Sequence, residues 1–268
     1  MKTVLLLAAA LVLAGCAASK YRSSNRDYKK QVKGFAKLLR EYPVEDSAGL
    51  PYAPEWVGTT NFGMRRPNFV VIHHTAQNSC DQTLKTFTLA RTQVSAHYVI
   101  CRNGTVFHLL NDLLRAHHAG VGRWGNDTDI NSSSIGIEID NNGTEPFTAE
   151  QLASLDLLLG RLKRAYNIPV ANFVGHSDIA PGRKVDPSKN FPWSDLAKNG
   201  YGLWYDTTAV QLPVDFNPMQ ALRIIGYDIR KPEAAIGSFK LHYLPQDTTR
   251  VIADAEKKIL FSLQQQSQ

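Results

Sequence analysis

The sequence lacks an apolar run that could cross a bilayer. Its most apolar stretch, residues 4–14 (VLLLAAALVLA), stops at eleven residues, where a spanning helix needs roughly 20. Cysteine is sparse, with three in 268 residues. Cys16 belongs to the N-terminal segment, which leaves Cys80 and Cys101. An exported compartment permits a bridge between them. Spacing alone does not supply the geometry a bridge needs, so a pair of free thiols is the alternative. No HExxH run occurs, so a helix-borne zinc peptidase has no support. A basic globular part is also missing. The formal charge is +6, but residues 1–40 hold 9 Lys/Arg against 1 Asp, and residues 41–268 hold 21 Lys/Arg against 23 Asp/Glu. The excess is an N-terminal arm. Nucleic-acid binding would need a basic face on the domain itself, so no nucleic-acid partner is expected.

What is present begins with a targeting segment. Lys2 precedes the apolar run, which ends in Leu13-Ala14-Gly15-Cys16. This resembles a bacterial lipobox, in which the cysteine thiol is acylated and becomes the first residue after cleavage. Two or more acyl chains make a stable anchor where one is marginal. Ala17 follows the cysteine where Asp would direct inner-membrane retention. The resemblance therefore implies lipidation at Cys16 and a place at the outer membrane, facing the periplasm. Residues 17–45 read as a basic tether, helical from about Tyr28 and suited to water or anionic lipid.

Further along, patterning predicts an α/β fold: a mixed central sheet flanked by helices, followed by a small all-α segment. Residues 68–74 are apolar until they reach His73 and His74, as in a central strand with functional residues at its C-terminal edge. A helix is expected over 83–91. Asn103-Gly104 supplies the positive φ of a tight turn, so 96–101 and 105–110 form a hairpin. Residues 116–131 read as a surface loop, and 134–140 (SIGIEID) as an alternating strand. Over 148–166, Thr148 and Gln151 form a capping box ahead of a Leu152, Leu155, Leu159, Leu162, Tyr166 stripe. Residues 192–213 are expected to close the first domain and become a linker. Short helices follow at 220–225, 233–243 and 249–264.

The chemistry concentrates in residues 174–186, VGHSDIAPGRKVD. His176 ends a short strand and Asp186 follows ten residues later, across a Pro-Gly turn and a basic pair. With a histidine from residues 69–74, two imidazoles and a carboxylate make a zinc site with one open position. Six of the eight histidines lie between positions 73 and 118, and taken singly each is an ordinary packing or surface histidine. In SIGIEID, Glu138 faces away from Ile135, Ile137 and Ile139.

These residues resemble a known family. FVVIHHTA, SAHYVI, HHAG, NSSSIGIEID, VGHSDIAPGRKVDP and FPW, in that order, are similar to motifs of the zinc-dependent N-acetylmuramoyl-L-alanine amidases of type 2, which include the peptidoglycan recognition proteins. The lipobox and C-terminal helices resemble its outer-membrane lipoprotein branch. The resemblance implies Zn2+ held by His73, His176 and Asp186, Glu138 as acid/base, and Lys184 beside the reacting carbonyl. It places His97, His118 and Asn131 as substrate contacts. His117 stands where the family often has Trp. The implied organisation is 1–16 signal and lipidated cysteine, 17–45 tether, 46–205 catalytic domain, and 214–268 a peptidoglycan-binding-like module expected to aid substrate capture. The implied activity is hydrolysis of the bond between N-acetylmuramic acid and L-alanine, by a monomer. A peptidoglycan-binding protein of the same fold without turnover is the alternative. Non-catalytic relatives lose a zinc ligand, and this sequence keeps all three.

Overall fold

The structure, a computed structural model, describes residues 20–40 and 58–267. The signal segment, Cys16 and residues 41–57 lie outside them. The chain divides into two compact units, Met1–Phe62 and Gly63–Gln268. Among its described residues, the first holds the helix α1 (Arg22–Leu38). It starts six residues earlier than expected, and none of its residues is buried.

The second unit is built on five strands: β1 (Phe69–His74), β2 (Tyr98–Ile100), β3 (Val106–His108), β4 (Ser134–Ile139) and β5 (Phe173–Gly175). Their order is β3-β2-β4-β1-β5. The four strands β2, β4, β1 and β5 are parallel, and β3 closes one edge antiparallel to β2. The hairpin forms as Asn103-Gly104 dictates, with Gly104 at φ 80°. Strand β1 is central and apolar because both sheet faces are covered. On one face Val70, Ile72, Ile135, Ile137 and Ile139 meet Leu155, Leu159 and Leu162 of α4 (Ala149–Tyr166). Each such leucine contributes about 1.5–3 kcal/mol on burial. The helix begins where its capping box predicts. Thr148 Oγ1 accepts from the Gln151 N–H, and the Gln151 side chain reaches back to the Thr148 N–H. Gln151 Nε2 also donates to the Asp140 carbonyl at 2.7 Å, tying the helix start to the end of β4.

The opposite face carries Phe69, Val71 and Val174. They share a core with α7 (Pro218–Ile225), α8 (Pro232–Tyr243) and α9 (Asp254–Gln266) through Leu222, Phe239, Tyr243 and Leu260. Three C-terminal helices form as expected, the last beginning at Asp254, five residues after the expected 249. The boundary expected between 205 and 214 falls inside one compact unit. The physical reason is that a sheet with two apolar faces needs a cover on each. Within this layer Lys240 is 1% exposed, and its ammonium donates to Asp247, Thr249 and Glu256.

Two other expectations are corrected. Residues 116–131 are not a surface loop, since Ala116, His118, Ala119, Trp124 and Ile130 are buried. Trp124 packs edge-on against Tyr227 at 4.9 Å, so Gly and Asn content here marks tight turns over a core. Residues 192–213 are not a free linker. Trp193 begins α6 (Trp193–Lys198) and, with Phe191 and Tyr201, packs into the α4-side core. Helix α2 (Cys80–Thr88) starts at Cys80, which is bridged to Cys101 at the end of β2 with Cα atoms 5.3 Å apart. That separation is ordinary for a disulfide.

Candidate metal centre and catalytic site

The parallel strands end together. His73 on β1 pairs in register with Glu138 on β4, so both side chains leave the sheet on the Val71 face. Strand β5 ends at Gly175, and His176 opens the single turn α5 (His176–Ile179). The chain returns through Pro181-Gly182 to Asp186, whose carbonyl accepts from the Ser177 N–H at 2.8 Å. That return brings Asp186 Oδ2 to 3.1 Å from His73 Nδ1 and 3.0 Å from His176 Nδ1, and the two Nδ1 atoms are 2.9 Å apart. All three residues are buried.

The outer nitrogens of these histidines fix what the inner ones can do. His176 Nε2 lies 3.0 Å from the Ala119 carbonyl. A carbonyl only accepts, so Nε2 carries the proton and Nδ1 presents a lone pair. His73 is fixed by a longer chain. The Ser134 hydroxyl donates to the Ile130 carbonyl, so its oxygen accepts from His118 Nε2 at 3.0 Å. His118 Nδ1 is then an acceptor, and His73 Nε2–H donates to it at 3.0 Å. His73 Nδ1 is left as a lone pair. Burial, with the neighbouring histidines and Arg65, holds His118 well below the usual imidazole range, which keeps it neutral in this relay. Burial, with His176 adding, lowers His73 to about 4. Burial raises the Asp186 carboxyl, but the adjoining imidazoles of His176 and His73 outweigh it and hold the group far below its usual value, so it is ionised. Three acceptors thus converge with no donor among them. A buried set of that kind is repulsive unless a cation sits between its members. Two imidazoles and one carboxylate are the donors that suit zinc, with a fourth position left open.

The donors sit in a cavity of about 390 Å³ whose lining includes Glu138, Lys184, Arg183 and His117. Glu138 Oε2 has no hydrogen-bond partner. Its carboxyl is pushed up to about 8 by burial, with the Asp186 charge adding and Lys184 opposing. The five residues that the resemblance singles out, His73, His176, Asp186, Glu138 and Lys184, all line this one cavity.

Its three expected substrate contacts are placed differently. His97 is fully buried and spoken for. Its Nδ1 accepts from the Gly136 N–H, and its Nε2 faces the Leu114 carbonyl. Asn131 Oδ1 accepts from the His118 and Ala119 N–H groups and shapes the loop that carries them. His118 uses both nitrogens in the relay. His97 and His118 thus have both ring nitrogens engaged, and Asn131 braces the loop through its Oδ1. His74 points to the other side of β1, where Nδ1 accepts from the Ser188 N–H at 3.0 Å.

Sequence reasoning missed a buried brace behind α5. Asp178 Oδ2 accepts from the Gly175 N–H at 2.7 Å and faces His242 Nδ1 at 2.8 Å. Its Oδ1 accepts from the Tyr227 hydroxyl at 2.8 Å. His242 stacks on Trp193 with ring centroids 3.9 Å apart. Tyr227 follows α7 and His242 lies in α8, so the C-terminal layer grips the turn that carries His176. The eighth histidine, isolated in an apolar helix, was the one available signal.

Comparison with known proteins follows the same lines. Residues 63–189 match the family model described as N-acetylmuramoyl-L-alanine amidase. The N-acetylmuramoyl-L-alanine amidase AmiD of Escherichia coli is 32% identical over 90% of this chain and 89% of its own length. A solved complex of AmiD from Escherichia coli with the substrate anhydro-N-acetylmuramic acid-L-Ala-D-gamma-Glu-L-Lys superposes with a TM-score of 0.67 at 30% identity, covering 78% of this chain and 93% of that one. AmpDh3 of Pseudomonas aeruginosa, in complex with an anhydromuramic pentapeptide, gives a TM-score of 0.67 at 28% identity over 83% of this chain and 98% of that one. The sheet, the convergent donors and a likeness running through the C-terminal helices agree, and the chain belongs to the type 2 N-acetylmuramoyl-L-alanine amidase family.

Proposed function

We propose that this protein is a zinc-dependent amidase that hydrolyses the bond between the lactyl group of N-acetylmuramic acid and L-alanine in peptidoglycan fragments, including those ending in anhydromuramic acid. The observation that carries the reading is the donor-free convergence of His73 Nδ1, His176 Nδ1 and Asp186 Oδ2 beside the unpartnered Glu138 Oε2. The anhydromuramyl peptides bound by the two solved relatives support the substrate class. A binding protein without turnover would have no use for that set.

A zinc ion held by the three donors supplies a Lewis acid for the amide carbonyl, an acidified water, and a charge that lowers the Glu138 carboxyl. The protein's own groups do the rest. Glu138 takes the proton of the attacking water and returns it to the amine nitrogen of the leaving L-alanine. Lys184, on the cavity wall, faces the oxyanion that develops on the carbonyl oxygen. The relay from Ile130 through Ser134 and His118 holds His73 in one tautomer. The test is stoichiometry. Dialysed protein should take up one zinc per chain in a calorimetric titration, and His73→Ala should take up none. One equivalent bound tightly by His73→Ala would remove His73 from the site.

The same reading places the enzyme at the outer membrane, anchored through an acylated Cys16 and facing the periplasm. The lipobox-like Leu13-Ala14-Gly15-Cys16 and the Ala17 that follows support this. Cys16→Ser should abolish incorporation of labelled palmitate. Normal labelling of the variant would sink it.

A further inference from the structure

The catalytic reading leaves α1 unused, and its surface is strongly divided. At about 100° per residue, Tyr28, Val32, Phe35 and Leu39 fall on one stripe roughly 60° wide. All four are exposed, Phe35 by 50% and Leu39 by 77%. Arg22, Arg26, Lys29, Lys30, Lys33 and Lys37 occupy the opposite face, and Asp27 is the one acid in the helix. No residue of α1 is buried. Among the described residues no helix is long and apolar enough to cross a membrane. A helix with an aromatic and aliphatic stripe opposite a cationic face suits the interface plane. There the stripe enters the acyl boundary and long lysine and arginine side chains reach headgroups.

We infer that α1 is an interfacial helix that lies on a bilayer rich in anionic phospholipid and fixes the start of the protein to that surface. Two observations commit it to lipid. The first is charge complementarity: six cations and one acid in 17 residues. Each lysine or arginine near an anionic surface raises partitioning about five-fold. The second is reach. Arg22 follows Cys16 by six residues, so even a fully extended chain sets the helix start within about 20 Å of an anchor there. A second copy of the helix would cover the stripe and leave the cations unmatched. The wall polymer would match the cations and leave the stripe in water. The inference rests on the anchored reading only for location, and its test uses protein without acyl groups so that the two fail separately.

The test is co-sedimentation of the chain from residue 17 onward, which lacks the acylated cysteine, with vesicles of phosphatidylethanolamine and phosphatidylglycerol, or of phosphatidylcholine alone. Binding should appear with the anionic vesicles only and weaken as salt is raised. A Phe35→Trp reporter should shift its emission to the blue on binding. Val32→Asp with Phe35→Asp should weaken binding at least ten-fold. Lys29→Gln, Lys33→Gln and Lys37→Gln together should do the same and flatten the salt dependence. Both sets should keep the wild-type melting temperature and turnover on soluble muropeptides, since the groups assigned to the chemistry all belong to the second unit. Equal binding to both kinds of vesicle would overturn the inference. So would binding to purified sacculi without binding to vesicles. A concentration-dependent dimer in sedimentation, abolished by Phe35→Asp, would assign the stripe to a second copy. Vesicle binding with no palmitate label on the full-length wild type would remove the anchor and leave the helix assignment standing.

Discussion

Gly136→Ala probes the link between sheet packing and chemistry, because Gly136 lies on β4 with His118 against it. A Cβ there would come to 2.5 Å from His118 Cδ2 and 2.7 Å from Nδ1, and closer still to Cγ. The ring is held on both sides, by Ser134 Oγ at 3.0 Å and by His73 Nε2 at 3.0 Å. Clearing an ordinary carbon contact of about 3.5 Å means a shift near 1 Å, which breaks both hydrogen bonds. Overpacking of this kind costs about 1–3 kcal/mol. Loss of the partner that orients a metal-ligating histidine costs about 10–100-fold in metal affinity. The assays are a urea midpoint on metal-free protein and zinc affinity by competition with a chromophoric chelator. The variant should unfold at lower urea and bind zinc at least ten-fold more weakly. His118→Phe removes the relay without the clash and should weaken zinc by a similar factor. If both variants bound zinc within two-fold of wild type, the relay would not be what orients His73.

Other outcomes follow from the same contacts. Glu138→Gln should keep full zinc content by elemental analysis while turnover falls about 10²–10⁴-fold; a tenth of wild-type turnover would end its role as base. Tyr227→Phe removes a hydrogen bond to buried Asp178. It should lower stability by about 1–3 kcal/mol and weaken zinc binding, since the turn carrying His176 loosens; unchanged zinc affinity would reduce the brace to simple packing. Stability of the metal-free protein should fall with acid. His73 and His97 sit at about 4 when folded, pushed by burial below the usual imidazole value of 6.5. Between those values the unfolded chain binds protons that the folded chain does not, so unfolding is favoured as pH drops through that window. A flat urea midpoint from pH 6.5 to 4 would contradict the burial argument.

Much of this was legible in the sequence because it is local. The capping box of Thr148 and Gln151, the Asn103-Gly104 turn and the apolar run into His73 each specify their own element. The ligand set was legible through ordered motifs, and the structure brings His73, His176 and Asp186 together as those motifs imply. What escaped was long-range. The resemblance offers His97, His118 and Asn131 as substrate contacts, but it does not show that both ring nitrogens of each histidine and the Asn131 Oδ1 are engaged by buried partners. Asp178 sits inside a quoted motif, yet its partners lie 49 and 64 residues away. The C-terminal helices announce themselves by periodicity, but periodicity does not say what a face packs on. Phe69, Val71 and Val174 share their core. Truncation before α7 should therefore destabilise the catalytic unit as well as any capture of substrate.

Mass spectrometry of the products released from a purified anhydromuropeptide tests the central claim most directly. The enzyme as purified should yield the free sugar acid and a peptide beginning with L-alanine. A chelator should stop the reaction and added zinc restore it. A cut within the stem peptide, or the same products at the same rate under chelation, would contradict the account.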